Sequence, residues 1–127
     1  MTRYLLDTNV VARLLLGDRD SITHEAVDAI SDPTNEPLLS AAAVWEIAIK
    51  RSPGKLSIHP SWHEALTRLD LVALPVTAEH AARVEGLPWH HRDPFHRLLI
   101  AQSMAEEATV VTSDRQIDAY DIDVLPT

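Results

Sequence analysis

The chain has 127 residues and a net charge of −8 at pH 7, and its composition is 46% hydrophobic and 24% charged with only three glycines. This length is enough for one domain with a substantial core, and the composition excludes a disordered protein. The absence of cysteine excludes disulfides and thiolate metal sites. No apolar run approaches the ~20 residues that span a bilayer, and the chain starts with a strand-like Tyr4-Leu5-Leu6 instead of a signal segment. We therefore expect a cytoplasmic protein without membrane association.

The negative net charge argues against a simple nucleic-acid binder, because Lys and Arg normally supply most of the affinity for phosphates. Two interpretations stay open. In one, the acids are concentrated in a metal site that reaches phosphates through a cation; in the other, the charge favours a basic partner protein.

Short apolar strands alternate with helices along the whole chain. The predicted elements are a strand at 4–6, helices at 10–16 and 23–30, a strand at 37–40, a helix at 41–51, an extended segment at 56–58, a helix at 61–69, a strand at 71–74, helices at 77–85 and 94–108, a strand at 109–112, a short helix at 115–120 and a strand at 123–125. Asp93 before Pro94 is a strong helix start, and Ser61 and Glu64 have the spacing of a capping box. This alternation predicts an α/β fold with a mainly parallel sheet of four to five strands, covered on both faces.

Four carboxylates lie near the predicted strand ends. Asp7 and Asp114 follow strands, Glu46 lies on the helix after the second strand, and Asp93 begins the helix that leads to the fourth. The functional crevice of such sheets lies beyond the carboxyl ends of the strands. Converging carboxylates repel one another unless a cation binds among them, and oxygen ligands favour Mg2+ or Mn2+ over zinc. The set predicts a divalent metal site.

Each acid also has a local explanation. Asp7, Asp93 and Asp114 can each cap a helix. Glu46 can pair with Lys50 at i,i+4 on a helix surface. The metal interpretation therefore depends on the four acids together.

Histidines cluster before and within the helix at 94–108. His96 is three residues after Asp93, so the two share a helix face, where His96 is a candidate ligand, phosphate contact or general acid–base group. His90, His91 and His96 suggest zinc, but adjacent histidines seldom aim at one ion, and we assign no role to His90 and His91. The remaining histidines are expected at the surface or near helix caps: His24, His59, His63 and His80.

Four motifs occur in an order and spacing that resemble one family. They are Asp7-Thr8-Asn9, Trp45-Glu46-Ile47-Ala48-Ile49-Lys50, His91-Arg92-Asp93-Pro94-Phe95 continuing to Leu98-Leu99-Ile100-Ala101-Gln102, and Thr112-Ser113-Asp114. Nearly end to end, the chain is similar to PIN-domain ribonucleases, particularly the VapC toxins of toxin–antitoxin pairs. The resemblance implies one PIN domain at 1–127 with three α/β/α layers.

The resemblance also implies a function. The implied function is that of a toxin, a Mg2+- or Mn2+-dependent endoribonuclease that cleaves cytoplasmic tRNA, rRNA or mRNA and so inhibits translation and growth. A small antitoxin of VapB type holds such toxins inactive, and they are commonly homodimers. Asp7, Glu46 and Asp114 match acids of the family motif. With Asp93 they form the expected metal and catalytic set, which also includes His96 as a catalytic candidate.

One position departs from the family pattern. Related sequences read Asp-Pro-Phe-Asp-Arg-Leu-Leu-Ile-Ala, and His96 stands here in place of the second aspartate. An active nuclease could use Asp93 or His96 instead. The alternative is a degenerate PIN domain that binds RNA or a partner protein without cleavage. A phosphoacceptor receiver domain fits poorly, because only one acid follows the first strand.

Neighbouring polar side chains are candidates for supporting roles. Asn9 and Thr112 can orient the acids by hydrogen bonds. Six basic residues near the same elements are candidate RNA contacts, although each is also explained as a solvated charge: Arg13, Lys50, Arg51, Lys55, Arg92 and Arg97. An acidic groove predicts that the antitoxin inserts an Arg or Lys.

Overall fold

The computed structural model describes residues 1–52, 54 and 56–127, so the candidate RNA contact Lys55 lies outside the described residues. Its centre is a sheet of five parallel strands in the order β3-β2-β1-β4-β5. The strands are β1 (Arg3–Leu6), β2 (Glu36–Ser40), β3 (Val72–Leu74), β4 (Thr109–Thr112) and β5 (Val124–Pro126). The predicted parallel α/β sheet is confirmed, with five strands.

Helices follow the strands in the predicted order. They are α1 (Thr8–Leu15), α2 (His24–Ser31), α3 (Ala41–Arg51), α4 (Trp62–Thr67), α5 (Ala78–Arg83) and α6 (Pro94–Glu106). Short 3₁₀ turns lie at Arg19–Ser21, Val84–Gly86 and Arg115–Ala119. In the described part of the chain, none of the helices is long and apolar enough to cross a membrane.

Two separate hydrophobic cores cover the two faces of the sheet. Successive strand side chains point to opposite faces, so Leu5 and Val110 pack in one core while Leu6 and Val111 pack in the other. The first core includes Leu99 and Ile100 of α6. The second is closed by α1, α2, α3 and α4. This gives the three layers of a doubly covered sheet.

The register between β1 and β4 determines which residues leave the sheet together. Leu6 lies opposite Val111, and the Asp7 amide donates to the Val111 carbonyl at 2.9 Å. Asp7 and Thr112 are thus the next residues on adjacent strands. The strand order also reverses between β1 and β4, which is the switch point where ligands bind in such sheets.

Two local predictions near α4 are wrong. Residues 56–58 form no strand; the Leu56 amide instead donates to the carbonyl of Lys50 at the end of α3. Ser61 makes no capping hydrogen bond, because its hydroxyl lies 2.7 Å from His59 Nδ1.

The expectation for His80 holds in part. Its backbone amide donates to the Thr77 hydroxyl, and its Nδ1 accepts from the Thr77 amide, each at 3.1 Å, so the pair caps α5. The ring is not at the surface, however, because it is 2% exposed and its Nε2 lies 3.0 Å from Glu106 Oε2.

Candidate active site

The Thr112 hydroxyl connects two acids at the carboxyl ends of β1 and β4. It donates to Asp7 Oδ2 at 2.6 Å and accepts from the Asp114 amide at 3.0 Å. Asp7 is only 1% exposed. The register of the sheet therefore holds a buried carboxylate in one orientation.

The first turn of helix α6 adds a third acid, Asp93, and a histidine, His96, at the same edge of the sheet. Asp93 caps the helix, since its Oδ1 accepts from the Phe95 amide at 2.8 Å. Its Oδ2 lies 3.4 Å from His96 Nδ1. The other ring nitrogen of His96, Nε2, lies 3.3 Å from Asp7 Oδ1 and 3.8 Å from Asp114 Oδ2. The imidazole is thus surrounded by three carboxylates.

These carboxylates pair with His96 electrostatically. Both of its ring nitrogens are buried and form no aligned hydrogen bond with any described residue. Burial lowers the pKa of His96, but the carboxylates of Asp7, Asp93 and Asp114 outweigh burial and raise the pKa to about 8. Without a metal, the ring is therefore mostly positively charged at neutral pH.

The two acids next to His96 respond in the opposite direction. Burial raises the pKa of Asp7, but His96 and the Thr112 hydroxyl outweigh it and hold that pKa below its ordinary value. Burial likewise raises the pKa of Asp114, but the hydrogen bond from His91 and the other contacts of this carboxylate outweigh burial and hold the pKa below its ordinary value. Both acids are ionised at neutral pH.

His91 belongs to the site, contrary to the expectation from sequence. Its Nε2 lies 2.8 Å from Asp114 Oδ2, and its Nδ1 accepts from the Asp93 amide at 3.0 Å. The proton of the neutral ring is consequently on Nε2, which donates to Asp114. His90 points elsewhere and packs against Tyr120, with ring centroids 5.0 Å apart. The expectation that the two adjacent histidines diverge is right, but the expectation that His91 has no role is wrong, because its ring reaches Asp114.

Among the described residues, one group has metal-binding atoms that all lie within 4.8 Å of one another: His91, His96 and Asp114. The rings of the two histidines are 4.4 Å apart. The site therefore offers imidazole nitrogen as well as carboxylate oxygen. The unpartnered nitrogens of His96 and the ionised acids around them fit a divalent cation that accepts both donor types.

Arg97 is a correction to the candidate RNA contacts. It is only 3% exposed, and its guanidinium donates to the carbonyls of Pro88 at 2.9 Å, Val84 at 3.1 Å and Leu87 at 3.2 Å. The Trp89 ring covers it at 3.8 Å. The buried guanidinium therefore anchors the segment that carries His91 and has no free face for RNA.

Glu46 lies on α3, and its ion-pair partner is a lysine. Its carboxylate is 4% exposed and lies 2.6 Å from Lys50 Nζ. The i,i+4 pair considered from sequence is present, but the carboxylate is buried rather than at a helix surface. Asn9 is exposed on α1 and makes no hydrogen bond with the acids among the described residues.

The other candidate RNA contacts lie on different elements. Arg13 Nη1 lies 3.5 Å from the Ser21 carbonyl, and Arg51 Nε donates to the Ile58 carbonyl at 3.1 Å. Arg92 is exposed immediately before Asp93. Of these, Arg92 is adjacent in sequence to the acid and histidine cluster.

The fold and site together define a class: an α/β domain whose parallel sheet presents one buried acid and two partly buried acids at its switch point. The PIN domain family model matches residues 4–123, and the chain belongs to the PIN-domain family.

Solved structures agree with this fold. The chain is similar to VapBC2 from Rickettsia felis bound to a promoter DNA fragment, with 16% identity, a TM-score of 0.69 and 98% of each chain covered. It is also similar to VapBC-1 from nontypeable Haemophilus influenzae, with 18% identity, a TM-score of 0.68 and 98% of each chain covered. The match to DNA-bound VapBC from Salmonella typhimurium has 15% identity and a TM-score of 0.67, and covers 99% of this chain and 98% of the other. Comparison with curated proteins found no significant match.

Proposed function

We propose that this chain is the toxin of a VapBC-type toxin–antitoxin pair and a divalent-cation-dependent endoribonuclease that cleaves cytoplasmic RNA. The observation that carries the proposal is the buried Asp7 carboxylate, which Thr112 orients at 2.6 Å beside Asp114 at the switch point of a PIN fold. Adjacent carboxylates, one of them buried, need positive charge nearby, and a bound divalent cation is one source of it.

Asp7 and Asp114 would hold Mg2+ or Mn2+, the cations predicted from sequence. A bound divalent cation supplies a water of lowered pKa and stabilises charge on the scissile phosphate. Thr112 keeps one Asp7 oxygen occupied, so the other oxygen faces the site. His91 donates to Asp114 Oδ2, the oxygen that lies 3.8 Å from His96 Nε2, while Asp114 Oδ1 accepts from the Gln116 amide at 2.9 Å.

The remaining site residues have supporting roles in this proposal. Asp93 keeps α6 aimed at the site by capping it. Glu46 and Lys50 form a pair on α3, where Lys50 is half exposed and able to contact phosphate. Arg92, Arg13 and Arg51 are further candidate phosphate contacts.

The proposed partner is a VapB-type antitoxin. The similar structures are complexes named VapBC. The chain carries a net charge of −8, and its site is lined by carboxylates, which favours a partner that inserts an Arg or Lys. A homodimer in the cytoplasm completes the proposal, as the family resemblance implies.

Cleavage of RNA by the purified protein tests the nuclease. Total cellular RNA is incubated with Mg2+ or Mn2+, and new 5′ ends are mapped by sequencing. We expect discrete cleavage that EDTA stops and that Asp7→Asn or Asp114→Asn abolishes. Asp28→Asn, an exposed acid on α2, is the matched control and keeps activity. Cleavage that persists in both site variants refutes the assignment.

A second function is favoured by one observation. The His96 imidazole lies between Asp7 and Asp114, at 3.3 and 3.8 Å, and its positive charge can neutralise them without a metal. A degenerate PIN domain that binds RNA or a partner without cutting would use this arrangement. It predicts RNA binding by gel shift without cleavage, and cleavage that appears only in His96→Asp.

A further inference from the structure

We infer that His96 is a metal ligand, so that the site binds its cation through one imidazole nitrogen together with carboxylate oxygens of Asp7 and Asp114. Such a site prefers Mn2+ and other imidazole-binding divalent cations to Mg2+. The inference rests on the metal dependence in the proposed function and names the residue that determines which cation binds.

The spacing of the donor atoms supports this assignment. His96 Nε2 lies 3.3 Å from Asp7 Oδ1 and 3.8 Å from Asp114 Oδ2. Neighbouring ligands of one ion, with bonds of about 2.1 Å, lie about 3.0 Å apart in octahedral and about 3.4 Å apart in tetrahedral coordination. The Asp7 oxygen at 3.3 Å is within this range of separations from Nε2, and the Asp114 oxygen at 3.8 Å is about 0.4 Å beyond the tetrahedral value.

The hydrogen-bonding state of His96 points the same way. Its buried Nε2 forms no aligned hydrogen bond among the described residues, and the groups nearest to it are carboxylate oxygens that a metal would also bind. Its Nδ1 lies 3.4 Å from Asp93 Oδ2. Metal-binding histidines usually present the second ring N–H to a carboxylate, which fixes the tautomer and makes the ligating nitrogen more basic. Asp93 has the position of that carboxylate.

His91 is a positioning residue and not a ligand, although it lies within range. Its Nδ1 accepts from the Asp93 amide, so a neutral ring carries its proton on Nε2. A protonated nitrogen cannot bind a metal. The Nε2–H instead donates to Asp114 Oδ2 at 2.8 Å and keeps this acid turned toward His96.

Donor chemistry determines the cation preference. Mg2+ favours oxygen ligands and retains its waters, whereas imidazole is a good ligand for transition-metal cations. A carboxylate at this position would offer oxygen only. The single His96 side chain thus changes the donor set without changing the two acids on the sheet.

Electron spin echo spectroscopy of bound Mn2+ tests the ligand directly, in a buffer without nitrogen donors. We expect ¹⁴N coupling from a directly bound imidazole in the wild-type protein and in His91→Gln, and its loss in His96→Gln. His90→Gln is the matched control, because that ring packs against Tyr120 away from the acids. Coupling that survives in His96→Gln, or Mn2+ bound by the wild type without coupling, overturns the inference.

Competition calorimetry tests the preference. The ratio of Mg2+ to Mn2+ dissociation constants is measured for the wild type and for His96→Asp. We expect the substitution to shift this ratio at least tenfold in favour of Mg2+. An unchanged ratio, or metal binding by His96→Asp but not by the wild type, overturns the inference. RNA cleavage is assayed separately, so nitrogen coupling without any cleavage supports the ligand assignment and refutes the proposed function.

Discussion

Replacing Arg97 with Met removes the cation that joins α6 to the segment carrying His91. The Arg97 guanidinium donates to the carbonyls of Pro88, Val84 and Leu87 at 2.9–3.2 Å. Val84 is the C-cap residue of α5 and Leu87 is the C-cap residue of the 3₁₀ turn that follows, so both carbonyls lie where the helix dipole also favours a positive charge. Met preserves much of the buried volume but none of these donors.

The expected loss of stability follows from these contacts. A hydrogen bond from a charged donor contributes about 1.5–3 kcal/mol, and a carbonyl left buried without a partner costs about 1–3 kcal/mol. The Leu87 contact is fully buried, whereas water can reach the carbonyls of Pro88 and Val84 in part. We therefore count about two effective bonds, or about 3 kcal/mol or more.

Urea unfolding followed by circular dichroism measures this loss. With m of about 1–3 kcal/mol per M, the midpoint falls by roughly 1–3 M. Arg92→Met is the matched control, because Arg92 is exposed in the same segment and its replacement should change stability by less than about 0.5 kcal/mol. A loss below about 1 kcal/mol in Arg97→Met would refute the anchoring role.

Three further predictions concern the site and its helix. The pKa of His96 is raised in the folded state, so its pairing with the acids contributes stability to the metal-free protein below about pH 6.5, and this stability is lost as pH rises through about 8. The pKa of Asp7 is lowered, so the stability that Asp7 contributes is lost as pH falls through its folded-state pKa. Urea titrations in EDTA should show about 1–2 kcal/mol lost between pH 6.5 and 8, and a flat response in His96→Gln. Thr112→Val should fold but bind Mn2+ about 10–100-fold more weakly by calorimetry, and unchanged affinity would contradict its orienting role. Lys50→Met leaves Glu46 buried without its cation and should lower the urea midpoint, whereas the exposed control Glu25→Gln should not.

The sequence predicted the parts of the site that follow from local pattern. Asp7 and Asp114 come directly after apolar strand segments, and parallel strands bring their carboxyl ends to one edge. Asp93 before Pro94 has an unambiguous capping signal, and the cap is present. These predictions depend on residues close together in the chain.

His91 and Arg97 could not be assigned in the same way. The His91 ring reaches Asp114, 23 residues away, only because the segment before α6 folds back over the N-terminal end of this helix. That path depends on the Arg97 guanidinium and on the Tyr120 hydroxyl, which lies 3.0 Å from the His91 amide. One signal for the role of Arg97 was available in the sequence: an arginine in the first turn of a largely apolar helix is expected to be buried, and a buried guanidinium needs hydrogen-bond partners.

The sheet places one part of the site and helix α6 places the other, and the two parts respond differently to sequence change. Asp7 and Thr112 are placed by main-chain register, since each directly follows or ends a strand paired through Leu6 and Val111. His96 enters from the first turn of α6, and the Asp93 side chain already satisfies the free amides of that turn. A substitution at residue 96 therefore leaves strand pairing and the cap intact. We expect such a substitution to change the donor atoms of the site while Asp7 and Thr112 keep their positions.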